Sequence, residues 1–261
     1  MKAKNKNRLN NLILSVLSIA IVIVAWVIVS AIVKNEYVVP SVSKTLKATF
    51  LLFTESSFYV GLAYTLVRTI ISVLISFVLA LALAVLAQTY PIAKKLLEPI
   101  ISIVRIVPTM AVLLIILIWS NPTIAPVIVA SLVMFPMIYS QLITAFNGID
   151  EGVINATKVF NLTKKQKVFK VFLPQIAEPI LSQTGSNFSF CIKLIVSAEV
   201  MAYTLRSLGG LMATANAYFE IPRLMALTLI SVLLGILVEF VFNLITKKCF
   251  KWSKAEGGAN D

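Results

Sequence analysis

The sequence predicts an all-α, polytopic membrane protein of about six transmembrane helices in one domain, and three observations carry that prediction. Its 261 residues are 59% hydrophobic and 13% charged, whereas soluble chains hold about a quarter charged residues. Several apolar runs reach the roughly 18 residues that a helix needs to cross a bilayer. The lysines and arginines are shared unequally among the short segments between those runs, as topology demands of a multi-pass protein.

The spans fall at about 11–33, 62–87, 99–120, 123–146, 176–198 and 223–245. Lys2, Lys4, Lys6 and Arg8 precede the first, which then runs uncharged for over twenty residues. That is too long for the apolar part of a secretory signal, and no small-residue cleavage site follows, so it is expected to stay in place as a span. Of the 23 basic residues, fifteen lie in the amino-terminal stretch 1–10, the 88–98 turn, the 147–175 segment and the tail 246–261. Five (Lys34, Lys44, Lys47, Arg206 and Arg223) lie on the opposite side, and Arg68, Arg105 and Lys193 sit inside spans. Both termini are therefore expected in the cytoplasm, with 11–245 as the membrane domain between two basic ends. On the external side, "VPSVSKTLKATFLLF" places Leu46, Thr49, Phe50 and Phe53 at helical spacing and is expected to lie at the interface. "NPT" at 121–123 is a tight turn. Residues 199–222 are too polar to span and are expected to bend at Gly209–Gly210.

The same composition excludes much chemistry. A net charge of +12 suggests nucleic acid in a soluble protein, but here its placement is explained by topology, and no nucleic-acid partner is expected. The chain has no histidine, which removes Ser–His and Cys–His catalysis and the usual zinc sites. Cys191 and Cys249 do not make a disulfide framework, and the only aspartates, Asp150 and Asp261, lie outside the apolar runs. No metal or cofactor is expected. No G-x-x-x-x-G-K-[ST] run is present, so any ATP must be handled by another polypeptide.

One basic segment carries more than topology requires. Across 149–174, Ile149, Val153, Ala156, Thr157 and Phe160 share one helical face, opposite Glu151, Asn155 and Lys158. Asp150 fits an N-cap. Asn161 fits the left-handed residue after a helix end, because Asn tolerates that conformation best after glycine. Thr163 and Gln166 stand at capping-box spacing and open a second helix with Val168, Phe169, Val171 and Phe172 on its apolar side, ahead of Leu173 and Pro174. Two capped helices with a hinge and an apolar stripe suit insertion into a partner's groove.

This segment resembles the cytoplasmic signature of binding-protein-dependent ABC importer permeases, E-A-A, three residues, G, nine residues, I-x-L-P. Here Asn155 stands for the Glu, Ala156 is kept, Thr157 replaces the second Ala, and Asn161 takes the Gly position. Val171, Phe172, Leu173 and Pro174 close the pattern at the right spacing. "VVPSVSKTL", "VRIVPTMAVLLIILIWSN" and "IKLIVSAEVMA" followed by "SLGGLM" are similar to stretches of the nitrate, sulfonate and taurine branch. The resemblance implies the type I importer permease fold and a pore subunit that is not itself an enzyme. It also implies a bacterial plasma membrane, in which two copies, as a homodimer among membrane lipid, work with cytoplasmic ABC ATPase subunits and an external substrate-binding protein. On that reading Val153, Asn155, Ala156, Thr157, Phe160, Asn161, Phe169, Val171, Leu173 and Pro174 form the ATPase-docking element. Charges at Phe169 and Leu173 are then expected to abolish docking without unfolding the spans. The branch suggests a small anion such as a sulfonate or nitrate as the solute.

Charged groups inside a bilayer are functional candidates because they are costly to place there. Lys193 is the deepest, with Glu199 six residues on. The two are candidates for the translocation path, and the alternative is that Lys193 pairs with Glu199, Glu239 or backbone carbonyls and only holds helices together. Arg68 and Arg105 are expected to reach the two interfaces. Two other functions remain open from the residues alone: an ion-gradient-driven transporter, or a membrane enzyme using Ser189 or Ser197 with Lys193.

Overall fold

The computed structural model describes residues 2–249, without the side chains of residues 2–12, 15, 16, 19 and 158. Among them every regular element is helical. Met1 and most of the expected tail from 246 lie outside the described residues. The helices are α1 (Lys2–Val33), α2 (Val42–Leu52), α3 (Ser56–Thr89), α4 (Pro91–Ile106), α5 (Thr109–Trp119) and α6 (Ala125–Asn147), followed by α7 (Glu151–Val159) and α8 (Lys164–Lys167). A π-helical turn (Val168–Phe172) then leads into α9 (Leu173–Met201), α10 (Leu208–Ala217) and α11 (Ile221–Cys249).

By length and composition α3, α6 and α11 can each cross a membrane, and α4 with α5 makes a fourth candidate as a bent pair. The third expected span is thus not one straight helix. Its two halves meet at 91°, and the cause is Pro108. A residue before proline is pushed out of the α region, and Val107 accordingly takes ψ 129, which ends α4 there. Within α1 the described apolar piece is Ala20–Val33. The fifth expected span lies on α9, which at 29 residues is long enough. It carries so many polar residues, among them Gln183, Asn187 and Lys193, that it does not stand out on composition.

The chain divides into two compact units, 1–56 with 212–230 and 57–211 with 231–261. In the first, Ser41 caps α2 by accepting a hydrogen bond from the Lys44 N–H at 3.4 Å. Leu46, Phe50 and Phe53 are exposed. The Trp26 indole donates to the Pro40 carbonyl at 3.1 Å. Lys44 pairs with Glu36, and Arg223 pairs with Glu55 at 2.6 Å.

The second unit is built on a ridge of small residues. Ser72, Ser76, Ala80 and Ala84 recur every four positions along α3 and are fully buried. Small side chains let helix backbones approach closely, and Ser72 and Ser76 donate to the Val127 and Ser131 carbonyls of α6 at 3.3 and 3.0 Å. Behind this ridge Met134, Ile138, Leu142 and Phe146 of α6 join Ile176, Cys191 and Ile195 of α9 in one apolar core.

Arg68 departs from its expected interfacial role. It is 5% exposed and pairs with Glu199, which is 0% exposed, at 2.8 Å. The Thr65 hydroxyl donates to the same carboxylate at 2.9 Å, and the Gly209 N–H does so at 3.2 Å. Thr65 also accepts from the Leu208 N–H at 3.0 Å, and Arg68 donates to the Thr123 carbonyl at 3.2 Å. The glycine pair is therefore not a bend. Tyr203 and Arg206 make the turn after α9 with φ of 49 and 52, and both glycines lie at the start of α10. Gly209 is required by closeness, because a Cβ there would sit 2.7 Å from the Val196 carbonyl oxygen.

Removing one partner of a buried ion pair strands the other charge, so Arg68→Met alone should cost about 3–5 kcal/mol of stability, and Arg68→Met with Glu199→Met should recover most of it. Gly209→Ala should cost about 1–3 kcal/mol through overcrowding. Thermal unfolding of the purified protein measures all three.

Candidate functional site

The segment 149–174 forms as its local chemistry dictates. The Asp150 carboxylate accepts the Gly152 and Val153 N–H groups at 2.7 and 3.3 Å and starts α7. Asn161 adopts φ 49, the left-handed conformation expected of it. The Leu162 N–H then reaches back five residues to the Thr157 carbonyl at 3.1 Å, which closes the helix end. Thr163 and Gln166 make the reciprocal capping box that opens α8.

Pro174 does not stop the second helix. From Lys164 to Met201 the chain is continuously helical, with the π-helical turn ending two residues before the proline. Proline lacks an N–H, and in an α-helix its ring collides with the carbonyl four residues back, here that of Lys170. Widening the turn relieves that collision, and the Leu173 N–H bonds instead to the Val168 carbonyl. Nothing in the order of residues around Pro174 marks this turn in advance.

The orientation of the two helices divides the expected docking residues into inward and outward sets. Thr157 and Val168 are 5% and 7% exposed, and Val153, Val171 and Leu173 pack on the core cluster that includes Phe172. The Phe172 and Phe146 rings stand 6.0 Å apart. These side chains anchor the element to its own protein. The outward surface carries Asn155, Ala156, Asn161 and Pro174, together with Val159, Phe160 and Phe169 at 77%, 75% and 62% exposure. Val159 was not expected there. A strict helical-face reading missed it, because which side of α7 meets the core is decided by packing and not by spacing along the chain.

The charges inside the membrane also rearrange. Glu199 pairs with Arg68 and not with Lys193. Lys193 is exposed and has no ion-pair partner among the described residues. It belongs to an exposed stripe of α9 with Ser182, Ser186, Phe190 and Ser197. Glu239 accepts from Ser186 at 2.9 Å, and no hydrogen bond joins Lys193 to Ser189 or Ser197 among the described residues.

A cavity of about 430 Å³ opens beside this stripe, between the break at Pro108, α6 and α9. Arg105, Ser140 and Gln141 supply its polar wall, and Val104, Met137 and Phe190 are among its apolar residues. Arg105, expected at the headgroups, donates instead to the Ser140 hydroxyl. Gln141 and Asn187 exchange two amide hydrogen bonds at 2.9 and 2.8 Å, tying α6 to α9 at the cavity's edge. Neither amide was singled out in the sequence, although a Gln and an Asn inside apolar helices are the signal that marks such a contact.

The chain is a multi-pass helical bundle with a cavity beside a broken span and a capped two-helix element. Residues 76–251 match the family described as binding-protein-dependent transport system inner membrane component. The chain belongs to that family and is an ABC importer permease subunit, a multi-pass plasma-membrane protein and not an enzyme. It is 24% identical to the glycine betaine transport system permease protein OpuAB of Bacillus subtilis (strain 168), over 58% of this chain and 54% of that one. It is 22% identical to the putative aliphatic sulfonates transport permease protein SsuC of the same organism, over 92% of this chain and 87% of that one. Among solved structures, the inward-facing MetNI methionine ABC transporter superposes with a TM-score of 0.62 at 21% identity, covering 72% of this chain and 94% of that one. The family excludes the gradient-driven transporter and the membrane enzyme that the residues alone left open.

The burial pattern separates two kinds of substitution. Phe160→Asp with Phe169→Asp should leave thermal stability within about 0.5 kcal/mol, the range of surface changes. Leu173→Asp should lower it by more than that, because it puts a charge against the core. Thermal unfolding of the two variants side by side checks the division.

Proposed function

We propose that this permease works as one of a pair in a complex with two cytoplasmic ABC ATPases and an external substrate-binding protein, carrying a small organic anion of the sulfonate type inward by alternating access. Both termini and the 149–174 element face the cytoplasm on this reading, and the apolar outer faces of α1, α3 and α11 meet lipid. The observation that carries it is the exposure of Val159, Phe160 and Phe169, on a segment whose other side chains are anchored in the core. A solvated loop has no use for three large exposed apolar side chains, whereas a groove in a partner does.

The mechanism follows from continuity. Closure of the ATPases on ATP presses on Phe160 and Phe169, and the left-handed hinge at Asn161 keeps α7 and α8 at a set angle. Because α8 runs into α9 without interruption, the displacement passes along one rod of 38 residues, about 57 Å at 1.5 Å per residue. That rod bears the Asn187 contact to α6, the Lys193 stripe and, at its far end, Glu199. A push at the cytoplasmic end therefore bears on the wall of the cavity and on the outer anchor together. Asn at the signature's Glu and Gly positions is accommodated: Asn161 supplies the turn, and Asn155 lies exposed. Lys193 on the exposed stripe offers a cation to a passing anion.

Reconstitution tests the reading. Uptake of an aliphatic sulfonate into proteoliposomes should require ATP, the ATPase and the binding protein together, and uptake by this chain alone on an ion gradient would overturn it. Phe160→Asp with Phe169→Asp should prevent co-purification of the ATPase. Lys193→Met should lower anion uptake while leaving the unfolding temperature nearly unchanged, and an equal loss of both would assign Lys193 a structural role.

A further inference from the structure

We infer that the cavity beside the Pro108 break is a binding site inside the permease itself for a small organic anion with an apolar body, its acidic head held by Arg105. The inference rests on the anion reading above and adds a selective contact to the pore.

The cavity, at about 430 Å³, falls within the roughly 300–1,000 Å³ of small-molecule sites. Its chemistry is two-sided. Val104, Met137 and Phe190 offer apolar contact, while Arg105, Ser140 and Gln141 are polar. The guanidinium presents five N–H donors in a fixed fork that matches carboxylate, sulfonate and phosphate oxygens, and the Ser140 hydroxyl occupies only part of that capacity. No residue lining the cavity is acidic. Among the described residues the arginine has no ion-pair partner, so its charge is available to an anionic ligand.

Two neighbours add to it. Thr109, which lines the cavity, is the first residue of α5. That helix starts from Pro108 without a side-chain cap, so its unpaired N–H groups and positive dipole end lie at the site. Gln141 spends one donor and one acceptor on Asn187 and keeps a second N–H for a ligand. Because Asn187 sits on α9, the site touches the rod that the ATPases drive. A zwitterion would bring an ammonium to a wall with no acid to meet it, so the site selects anions over zwitterions of the same size.

The test uses the permease–ATPase complex in nanodiscs without the binding protein, and radiolabelled 1-butanesulfonate as the probe. Saturable binding is expected, competed by butanoate and not by butylammonium. Arg105→Gln should weaken it about 10-fold or more, the loss of one charge-assisted hydrogen bond, and Arg105→Lys should restore part of it. Arg105 is exposed, so unfolding temperature and ATPase co-purification should be unchanged. Absence of saturable binding to the wild type, or equal binding to Arg105→Gln, overturns the site. Uptake with the binding protein separates the two readings. If the wild type and Arg105→Gln import the sulfonate equally, the site falls and the anion reading stands. If the transporter imports only zwitterions or cations while the cavity still binds butanesulfonate, the anion reading falls and the site stands.

Discussion

A carboxylate with no exposed surface inside a helical bundle must be neutralised where it stands, since moving an ion out of water costs several kcal/mol even after relaxation. Glu199 meets that demand with the Arg68 guanidinium, the Thr65 hydroxyl and the Gly209 N–H. Each donor comes from a different turn of chain, so the single charge specifies where α3, the end of α9 and the start of α10 must meet. Thr65 relays the arrangement to the Leu208 N–H, and Arg68 extends it to the turn before α6. A hydrophobic contact tolerates sliding, whereas this network has one geometry in which every group is satisfied.

On the proposed reading, that fixed point gives the 149–174 element something to work against. The passage from α8 to α9 is continuous because the π-helical turn absorbs Pro174 instead of letting it break the helix, and Glu199 ties down the far end. Between the two ends, Gln141 and Asn187 couple the rod to α6 at the cavity wall. The 91° break at Pro108 contrasts with this continuity. Pro108 interrupts its span and opens space beside Arg105, while Pro136 and Pro179 remain inside unbroken helices. The same residue type gives opposite outcomes according to whether neighbouring turns can widen or must end.

Much of the 149–174 element was legible because it depends on short-range chemistry. The Asp150 cap, the left-handed Asn161 and the Thr163–Gln166 box each involve groups within five residues, and all form as read. The stripe was half legible. Helical spacing placed Val153, Thr157 and Phe160 on one side, but the first two turn inward and Val159 turns out. Amphipathicity names a face without saying whether the protein's own core or a partner will cover it. Arg68 was misplaced at the interface for a related reason, since its counter-ion is 131 residues away.

Composition, charge bias and local capping by themselves determined that this chain is a helical membrane protein with a hinged two-helix element, because those properties depend on transfer free energies and on neighbours along the chain. Only the tertiary structure decided that Glu199 belongs to Arg68, that Lys193 is left facing outward, that Leu173 packs on the core while Phe169 is exposed, and that Arg105 lines a cavity. Each of those depends on which distant helix lies alongside, and long-range packing in a bundle leaves no periodic trace in the order of residues.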